Sequence, residues 1–579
     1  MCFGIEKNNF VLNGKPFKVI SGAVHYFRNL PDSWDDIFDK MVACGFNTVE
    51  TYCVWNMHEK EKGKFDFSGR FDLSLFLQKA KEHGLMAIVR PGPYICAEWE
   101  FGGLPWWLIT EPDMEIRCYN KAYIYYFERY LGVLFEKIRP FLITNGGNII
   151  LMQVENEYGY YGDDKRYLNE LVRFYRENGI DIPLVTSDGC AKNELLDGMV
   201  DGCLPTINLG SNAKLKFGDR DKLSPNTPKM CMEMWNGWFD CWGDERHHTT
   251  SPEAYAEEFG EMLEIGSVNA YMFIGGTNFG FTNGANHGDK YMPQTTSYDY
   301  DALLTECGDV TEKYYKVREK VALYVDKPLK PVPKNKEKKA YGKVVLSENT
   351  GLLDNLDNLS EGVESEVPKI MEEYGVGYGY IVYKTTLTRD YENAKLSFEE
   401  IGDRAVIYID NRLIGVVFIN EPPYEVVFSA KSGDEITVIC ENMGRTNFGS
   451  KMMRKKGIVG RCFIDGKIHF SWKVYPLPMD NLEKLDFSLP TSGEAIFCKG
   501  TFEINGKPCD TFLRTDYFGK GFVTLNGFNL GRFWQKGPQK TLYVPASVLK
   551  EGKNEIILFD GEHSGDDFSV EFTDKPNLG

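Results

Sequence analysis

The chain has 579 residues, which is too long for one hydrophobic core and suits roughly three or four folding units, or two units and a large barrel. Acidic residues number 84 against 66 basic ones, giving a net charge of −18, so nucleic acid and anionic membranes are poor default partners. The 14 cysteines contain no CxxC pair and the eight histidines show no ligand spacing. We therefore predict buried thiols and expect neither a metal nor another cofactor.

The N-terminal stretch, MCFGIEKNNFVLNGKPF, lacks the apolar segment of a signal peptide, and no run of 18 apolar residues occurs in the sequence. We therefore expect a cytoplasmic protein without a membrane partner. A surface location reached without a signal peptide stays open.

Short apolar runs alternate with amphipathic helical stretches over the first 325 residues. The predicted strands are FKVISGAVHY (17–26), NTVETYCVW (47–55), LMAIVRPGPY (85–94), NIILMQVENEY (148–158), PLVTSDG (183–189), GCLPTINLG (202–210), KMCMEMWNG (229–237) and NAYMFIGGTN (269–278). Four predicted helices end at a glycine: Gly45, Gly84, Gly179 and Gly266.

Eight strands alternating with helices predict an α/β catalytic domain of the (β/α)8, or TIM barrel, type. The helices after the fifth and sixth strands are weakly signalled, and a doubly wound open sheet is the alternative. The absence of a GxGxxG or GxxxxGK[ST] motif after the first strand disfavours that alternative.

The pattern changes after the barrel. Three prolines and a run of charges in VDKPLKPVPKNKEKKAYGK (325–343) predict a solvated linker. Farther on, VIYIDNRLIGVVF (406–418) aligns without gaps to FVTLNGFNLGRFW (522–534), which predicts two all-β sandwiches of one type. We expect a barrel over 1–325, a linker and connecting segment over 326–375, and sandwiches over 376–475 and 476–579.

Two glutamates follow the fourth predicted strand in QVENEYG (153–159). If the strand continues through them, Gln153, Glu155 and Glu157 share a face and Glu157 lies nearest the C-terminal rim. Two carboxylates on one face repel each other, which raises the pKa of one of them and suits a general acid. In the alternative interpretation, an arginine holds Glu155 ionised.

Two more carboxylates stand at predicted strand ends. Glu233 ends the seventh strand and is followed closely by Trp235, Trp238 and Trp242, while Glu98 lies past the third strand. A helix-capping acid beside packed aromatic residues is the structural alternative for Glu233. Three glutamates at one barrel face, beside tryptophans and amides, fit glycoside hydrolysis. An enolase-type barrel would need a lysine or histidine base among them, and none is evident at strands four to eight.

At this point the sequence resembles the β-galactosidases of glycoside hydrolase family 35. The motifs that carry the resemblance are TYCVWNMHE (51–59), RPGPYICAEWEFGGLPWWL (90–108), GGNIILMQVENEYG (146–159), MEMWNGWFDCWG (232–243), YMFIGGTNFGFTNGAN (271–286) and TSYDYDALLTECGD (296–309). They run in order through the whole predicted barrel. The two sandwiches resemble the galactose-binding-like or jelly-roll domains of the same family by pattern.

The resemblance implies a retaining mechanism, with Glu157 as acid/base and Glu233 as nucleophile. It also implies that Asn156 contacts the galactose 2-hydroxyl. The other implied sugar-binding positions are Tyr52, Cys96, Ala97, Glu98, Trp235, Trp238, Tyr271 and Tyr300, with Cys96 and Ala97 acting through backbone groups. The expected substrate is a galactose-containing oligosaccharide or glycan, and homodimer assembly is left open.

The aromatic segment WNGWFDCW resembles members that prefer galactose β-1,3-linked to N-acetylhexosamine, and we expect that preference here. The loop ENMGRTNFGSKM (441–452) is expected to lend Phe448 to the aglycone side. Two rival functions remain: an exo-β-glucosaminidase of the same family, and an inactive sugar-binding protein that keeps the pocket.

Overall fold

The computed structural model describes residues 2–579. Eight parallel strands near the N-terminus close into a barrel in sequential order. We number them β1 Ile20–Val24, β2 Thr48–Tyr52, β3 Met86–Arg90, β4 Ile149–Gln153, β5 Leu184–Asp188, β6 Cys203–Leu209, β7 Met230–Trp235 and β8 Ser267–Ile274. The predicted TIM barrel is therefore confirmed, and the doubly wound alternative is wrong because β8 pairs with β1 and leaves no open edge.

Helices surround the barrel and connect its strands. Their bounds are Trp34–Cys44, Trp55–His58, Leu73–Glu82, Lys121–Ile138, Lys165–Glu177, Lys192–Gly198, Ala213–Lys216, Gly218–Leu223, Pro252–Ile265 and Glu312–Val321, with Leu356–Leu359 beyond the barrel. The helices after β5 and β6 are short, which explains their weak sequence signal. Gly45, Gly84 and Gly179 take the left-handed backbone of a helix stop, whereas Gly266 is extended.

A three-stranded sheet precedes the barrel, with strands Phe3–Glu6, Asn9–Leu12 and Lys15–Pro16. One apolar core fills the barrel and the space beneath its helices. Within residues 2–579, no helix is both long enough and apolar enough to cross a membrane.

Two β-sandwiches follow, as predicted. The first packs a six-stranded sheet against a four-stranded one. In sheet order its strands are Val363–Ser365, Trp472–Leu477, Tyr380–Thr386, Glu435–Glu441, Arg404–Ile409 and Arg412–Phe418 in one sheet, and Glu425–Ala430, Tyr391–Gly402, Gly457–Ile464 and Lys467–Ile468 in the other.

The second sandwich packs five strands against four. They are Glu348–Gly351, Ile496–Ile504, Gly552–Asp560, Lys520–Leu525 and Phe528–Trp534, and then Gly342–Val345, Ser569–Thr573, Thr511–Arg514 and Thr541–Val544. The segment 326–375 therefore contributes strands to both sandwiches, because Gly342–Val345 and Glu348–Gly351 join the second and Val363–Ser365 the first. The division of the chain into four segments stays a prediction.

The internal sequence echo corresponds to two hairpins of the same construction. Each places two residues of positive φ in its turn, Asp410 and Asn411 in the first sandwich and Asn526 and Gly527 in the second. Such turns match the right-handed twist of the paired strands. Each hairpin also has a register shift just before its turn. The two hairpins therefore share the position of the register shift as well as the type of turn.

A further small sheet joins the barrel to the first sandwich. After β8 the chain forms the hairpin Ala285–His287 and Tyr291–Pro293, and the strand Thr446–Phe448 of the first sandwich pairs in parallel with its first strand. A loop of the sandwich is thereby fixed at the C-terminal face of the barrel, where barrel active sites lie.

Candidate active site

A pocket with a free volume of about 750 Å³ opens at the C-terminal face of the barrel. All twelve residues proposed from the sequence line it: Tyr52, Cys96, Ala97, Glu98, Asn156, Glu157, Glu233, Trp235, Trp238, Tyr271, Tyr300 and Phe448. Tyr160, Phe239 and Asn286 complete the lining. Within this lining we call Tyr52, Asn156, Glu157 and Glu233 the inner wall, and Tyr160, Trp238 and Phe448 the outer wall.

Glu157 follows β4 in a left-handed backbone conformation, with a φ of 47°. Its backbone nitrogen donates to the carbonyl of Ser187 at 2.8 Å, and its carboxylate accepts a 3.0 Å hydrogen bond from Asn208 Nδ2. Burial raises the pKa of Glu157 to about 8, the negative charge of Glu233 adds to the rise, and the Asn208 hydrogen bond opposes it. A carboxyl group that keeps its proton near neutral pH suits a general acid.

Glu155 does not share a face with Gln153 and Glu157, so that expectation is wrong. Strand β4 ends at Gln153, and positive φ angles at Glu155 and Glu157 break the alternation of a strand. Arg117 instead binds Glu155 through two hydrogen bonds of 2.9 Å, from Nε and Nη2. The alternative interpretation, in which Glu155 has an arginine as its structural partner, is the one the structure supports.

Glu233 lies in β7 with only 5% of its surface exposed. Arg90 Nη2 donates to its Oε1 at 2.6 Å, the Tyr52 hydroxyl lies 2.7 Å from the same oxygen, and Trp235 Nε1 donates to Oε2 at 3.1 Å. Every one of these contacts stabilises negative charge on Glu233. The two carboxylates of the inner wall therefore differ in environment, since Glu233 is held by a cation and Glu157 is not.

The side-chain amide of Asn156 is oriented by its surroundings. Its Oδ1 accepts from Arg90 Nη2 at 2.6 Å and from Gln153 Nε2 at 3.1 Å, and the Tyr52 hydroxyl, whose single proton is shared with Glu233, lies 2.8 Å away. The carbonyl oxygen is thus engaged by two nitrogen donors, so the NH2 group of Asn156 is the part left to face a ligand.

The loop after β3 forms a turn in which Cys96, Ala97 and Glu98 all have positive φ angles. The Tyr298 hydroxyl donates to the carboxylate of Glu98. Burial raises the pKa of Glu98 to about 7, against the lowering effects of Tyr298 and Arg28. Within this turn Arg28 donates to the Ala97 carbonyl and the Trp99 nitrogen to the Cys96 carbonyl, so a role of backbone groups at Cys96 and Ala97 in sugar binding stays a prediction.

Aromatic side chains close the remaining sides. The rings of Tyr271 and Tyr300, both nearly buried, meet edge to face at 5.6 Å. Trp238 is 45% exposed and stacks on Phe239 at 5.0 Å. Buried rings shape one end of the pocket, while exposed rings remain free for a ligand at the other.

The first sandwich contributes Phe448 to the outer wall. Its ring is 37% exposed and lies 6.3 Å from that of Tyr160. The adjacent loop is anchored by Arg445, which is fully buried, lies 2.9 Å from Glu100 Oε1 and also pairs with Glu372. Glu100 is therefore a buried ion-pair partner between domains.

Two functional side chains were missed from the sequence. Arg90 is fully buried at the end of β3 and contacts Gln153, Asn156 and Glu233, and Asn208 lies near the end of β6. Both are polar residues at the C-terminal end of a barrel strand. The rule that selected Glu157 and Glu233 would have found them if it had been applied to every strand.

One group in the described chain has the composition of a cation site. Ligand atoms of Asp240, Asp244 and His248 lie within 4.8 Å of one another. Asp240 is already hydrogen-bonded to His247 Nδ1 at 2.6 Å and to His248 Nδ1 at 2.8 Å. These side chains satisfy one another outside the pocket, so nothing connects them with its chemistry. Nine of the 14 cysteines are buried, and all are free thiols.

Three family models match successive parts of the chain. They are "Glycosyl hydrolases family 35" over residues 9–324, "Beta-galactosidase, first all-beta domain" over 368–478 and "Beta-galactosidase, galactose-binding domain" over 495–554. Together they cover the barrel and both sandwiches.

Similar proteins align with almost the whole chain. A Bos taurus protein named "Beta-galactosidase" is 38% identical, with 99% of this chain and 93% of the relative covered. The Xanthomonas manihotis "Beta-galactosidase" is 40% identical, over 95% and 92%, and the Homo sapiens "Beta-galactosidase-1-like protein 2" is 38% identical, over 99% and 91%. The chain therefore belongs to glycosyl hydrolase family 35.

Proposed function

We propose that this enzyme, a glycoside hydrolase with β-galactosidase activity, removes single β-D-galactose residues from the non-reducing ends of glycans and oligosaccharides. The observation that carries the proposal is the pair of unlike carboxylates, Glu157 and Glu233, in one pocket. A pocket that is closed at one end by buried rings and open at the other suits a terminal sugar and part of its neighbour.

The reaction is a double displacement with retention of configuration. The Glu233 carboxylate attacks the anomeric carbon while Glu157 transfers its proton to the departing glycosidic oxygen. Glu157, now a carboxylate, then takes a proton from water, whose oxygen attacks the anomeric carbon and releases Glu233. Support for these roles comes from the Arg90 and Tyr52 contacts to Glu233 and from the raised pKa of Glu157.

Sugar binding is assigned to the rest of the pocket. The NH2 group of Asn156 faces the position expected for the 2-hydroxyl, next to the site of bond cleavage. Tyr52, Tyr271, Tyr300, Glu98 and the backbone at Cys96 and Ala97 contact the other hydroxyls. Trp235 and Trp238 line the route that the leaving group takes.

We further propose a preference for galactose β-1,3-linked to N-acetylhexosamine. The exposed rings of Trp238, Phe448 and Tyr160 offer apolar area to the sugar ring and acetamido methyl of such an aglycone. This preference depends on the outer wall alone, so it can fail while the galactosidase chemistry stands.

A substrate panel tests both proposals. Aryl β-glycosides and galactosyl disaccharides with β-1,3, β-1,4 and β-1,6 linkages are hydrolysed, and the anomer released first is identified by proton NMR. We expect β-galactose first, with the β-1,3 disaccharide cut fastest. Initial release of α-galactose would contradict retention, and cleavage of a glucosaminide alone would identify the glucosaminidase alternative. An equal rate on all three linkages would remove the aglycone preference.

A further inference from the structure

A second cavity, of about 1830 Å³, opens where the barrel meets both sandwiches. It is separated from the catalytic pocket by a thin wall of backbone. The nitrogen of Glu100 donates to the Thr282 carbonyl and that of Gly284 to the Glu98 carbonyl, each at 2.9 Å. Thr282 lines the cavity and Glu98 lines the pocket. We call this cavity the junction groove.

Aromatic rings reach the junction groove from two domains. Trp106, from the barrel loop after β3, and Phe528, from the second sandwich, are both half-buried. The Gly377 backbone packs against the Trp106 indole so closely that a Cβ there would lie 2.2 Å from the ring. Phe528 is supported by Phe279 at 5.1 Å. Both rings are thus held in place yet partly open, as stacking on a sugar requires.

Four charged side chains of the groove make no ion pair, although Arg70 lies over the rings of Phe71 at 4.6 Å and Phe528 at 5.8 Å. Within residues 2–579, no ion pair and no side-chain hydrogen bond is formed by Lys60, Arg70, Asp480 or Glu483. The other two carboxylates of the lining, Glu61 and Glu555, already pair with lysines. Two unpaired cations and two unpaired carboxylates offer both donors and acceptors with no net charge. A neutral molecule rich in hydroxyl groups, each able to donate and accept, matches this set.

We propose that the junction groove binds neutral oligosaccharides as a second saccharide site, distinct from the catalytic pocket. This inference rests on the proposed function, because we take the bound glycan to be a galactose-containing substrate of the enzyme. For a glycan long enough to reach from the groove to the pocket, binding in the groove raises the effective concentration of its galactose ends at the pocket. The second sandwich would then contribute to turnover of long glycans but not of small galactosides.

Binding is tested on the full-length Glu233→Gln protein, titrated calorimetrically with a linear β-galactotetraose in the presence of saturating galactose. We expect one binding site per chain to remain under galactose, and Arg70→Ala and Asp480→Ala each to weaken it at least tenfold. Tyr517→Ala, which removes an exposed ring of the second sandwich outside the groove, should bind as the parent does. Loss of all binding under galactose, or unchanged affinity in both groove variants, would overturn the proposal.

Kinetics give a second readout on the otherwise unaltered enzyme. Arg70→Ala should lower kcat/KM for the tetraose roughly three- to tenfold and leave an aryl β-galactoside unaffected. An equal loss on both substrates would overturn the tethering role. The two proposals can also fail separately. If the parent enzyme cleaves no β-galactoside, the proposed function fails. The groove site still stands in that case if adding Arg70→Ala to the Glu233→Gln protein weakens its binding of the tetraose.

Discussion

The inner and outer walls of the catalytic pocket are built in opposite ways. Inner-wall side chains are linked through Arg90, which contacts both Asn156 and Glu233, and through the Tyr52 hydroxyl. Outer-wall rings are 37% to 45% exposed, and two of them, Tyr160 and Phe448, meet edge to face at 6.3 Å. A buried, hydrogen-bonded network fixes atoms for chemistry, whereas exposed rings supply area that different leaving groups can share. Chemistry and linkage preference should therefore respond separately to mutation.

The largest effect is expected at the inner wall. Glu233→Gln keeps the shape of the side chain but removes the nucleophile, so kcat should fall by about 10⁴-fold or more, with the melting temperature near that of the parent. Azide then distinguishes the two roles. Azide should rescue Glu233→Gly and give α-galactosyl azide, whereas Glu157→Ala should give the β-anomer. The reverse pair of products would exchange the assignments.

A smaller effect is expected when the tuning of Glu157 is changed. The parent kcat/KM should decline above about pH 8, where Glu157 loses the proton that it must donate. The Asn208 hydrogen bond lowers the pKa of Glu157, so Asn208→Ala should raise that pKa and move the alkaline limb upward. The loss in kcat should be roughly 10- to 100-fold, since one contact to the acid is removed while the acid remains.

The pH profile is measured on an aryl β-galactoside, with Asn169→Ala as a matched variant. Asn169 is exposed on the helix Lys165–Glu177, so its profile should match that of the parent. An alkaline limb in Asn208→Ala that stays in place or moves downward would contradict the assignment of Glu157 as the acid.

The smallest effect is expected at the outer wall. Phe448→Ala removes one exposed ring, which corresponds to roughly a fivefold loss of kcat/KM on the β-1,3 disaccharide. An aryl β-galactoside with a small leaving group should be unaffected. Phe470→Ala is the control, because Phe470 is an exposed phenylalanine of the same sandwich outside the pocket. Equal losses on both substrates would mean that the two walls are not separable.

The same contrast explains what sequence could predict. Glu157 and Glu233 follow apolar strands, and the barrel brings strand ends together, so local pattern and topology were enough to place them. The orientation of the Glu155 side chain depends on Arg117, 38 positions away, and on a left-handed backbone conformation that no sequence pattern predicts. Phe448, more than 200 residues beyond Glu233, was expected from its loop, but the interdomain strand pairing that holds it in place was not. Contacts between residues far apart in the chain are the part of the site that a single sequence does not predict.

Because Thr446–Phe448 pairs with Ala285–His287, the parts of the pocket are completed in a fixed order during synthesis on the ribosome. The barrel strands have all been synthesised once residue 274 is made, yet the outer wall of the pocket still lacks Phe448. About 170 more residues must be translated before the loop that carries Phe448 can dock. A nascent chain would therefore acquire its reacting carboxylates well before its preference among leaving groups, so ribosome-stalled chains ending at different lengths would separate the two properties in time.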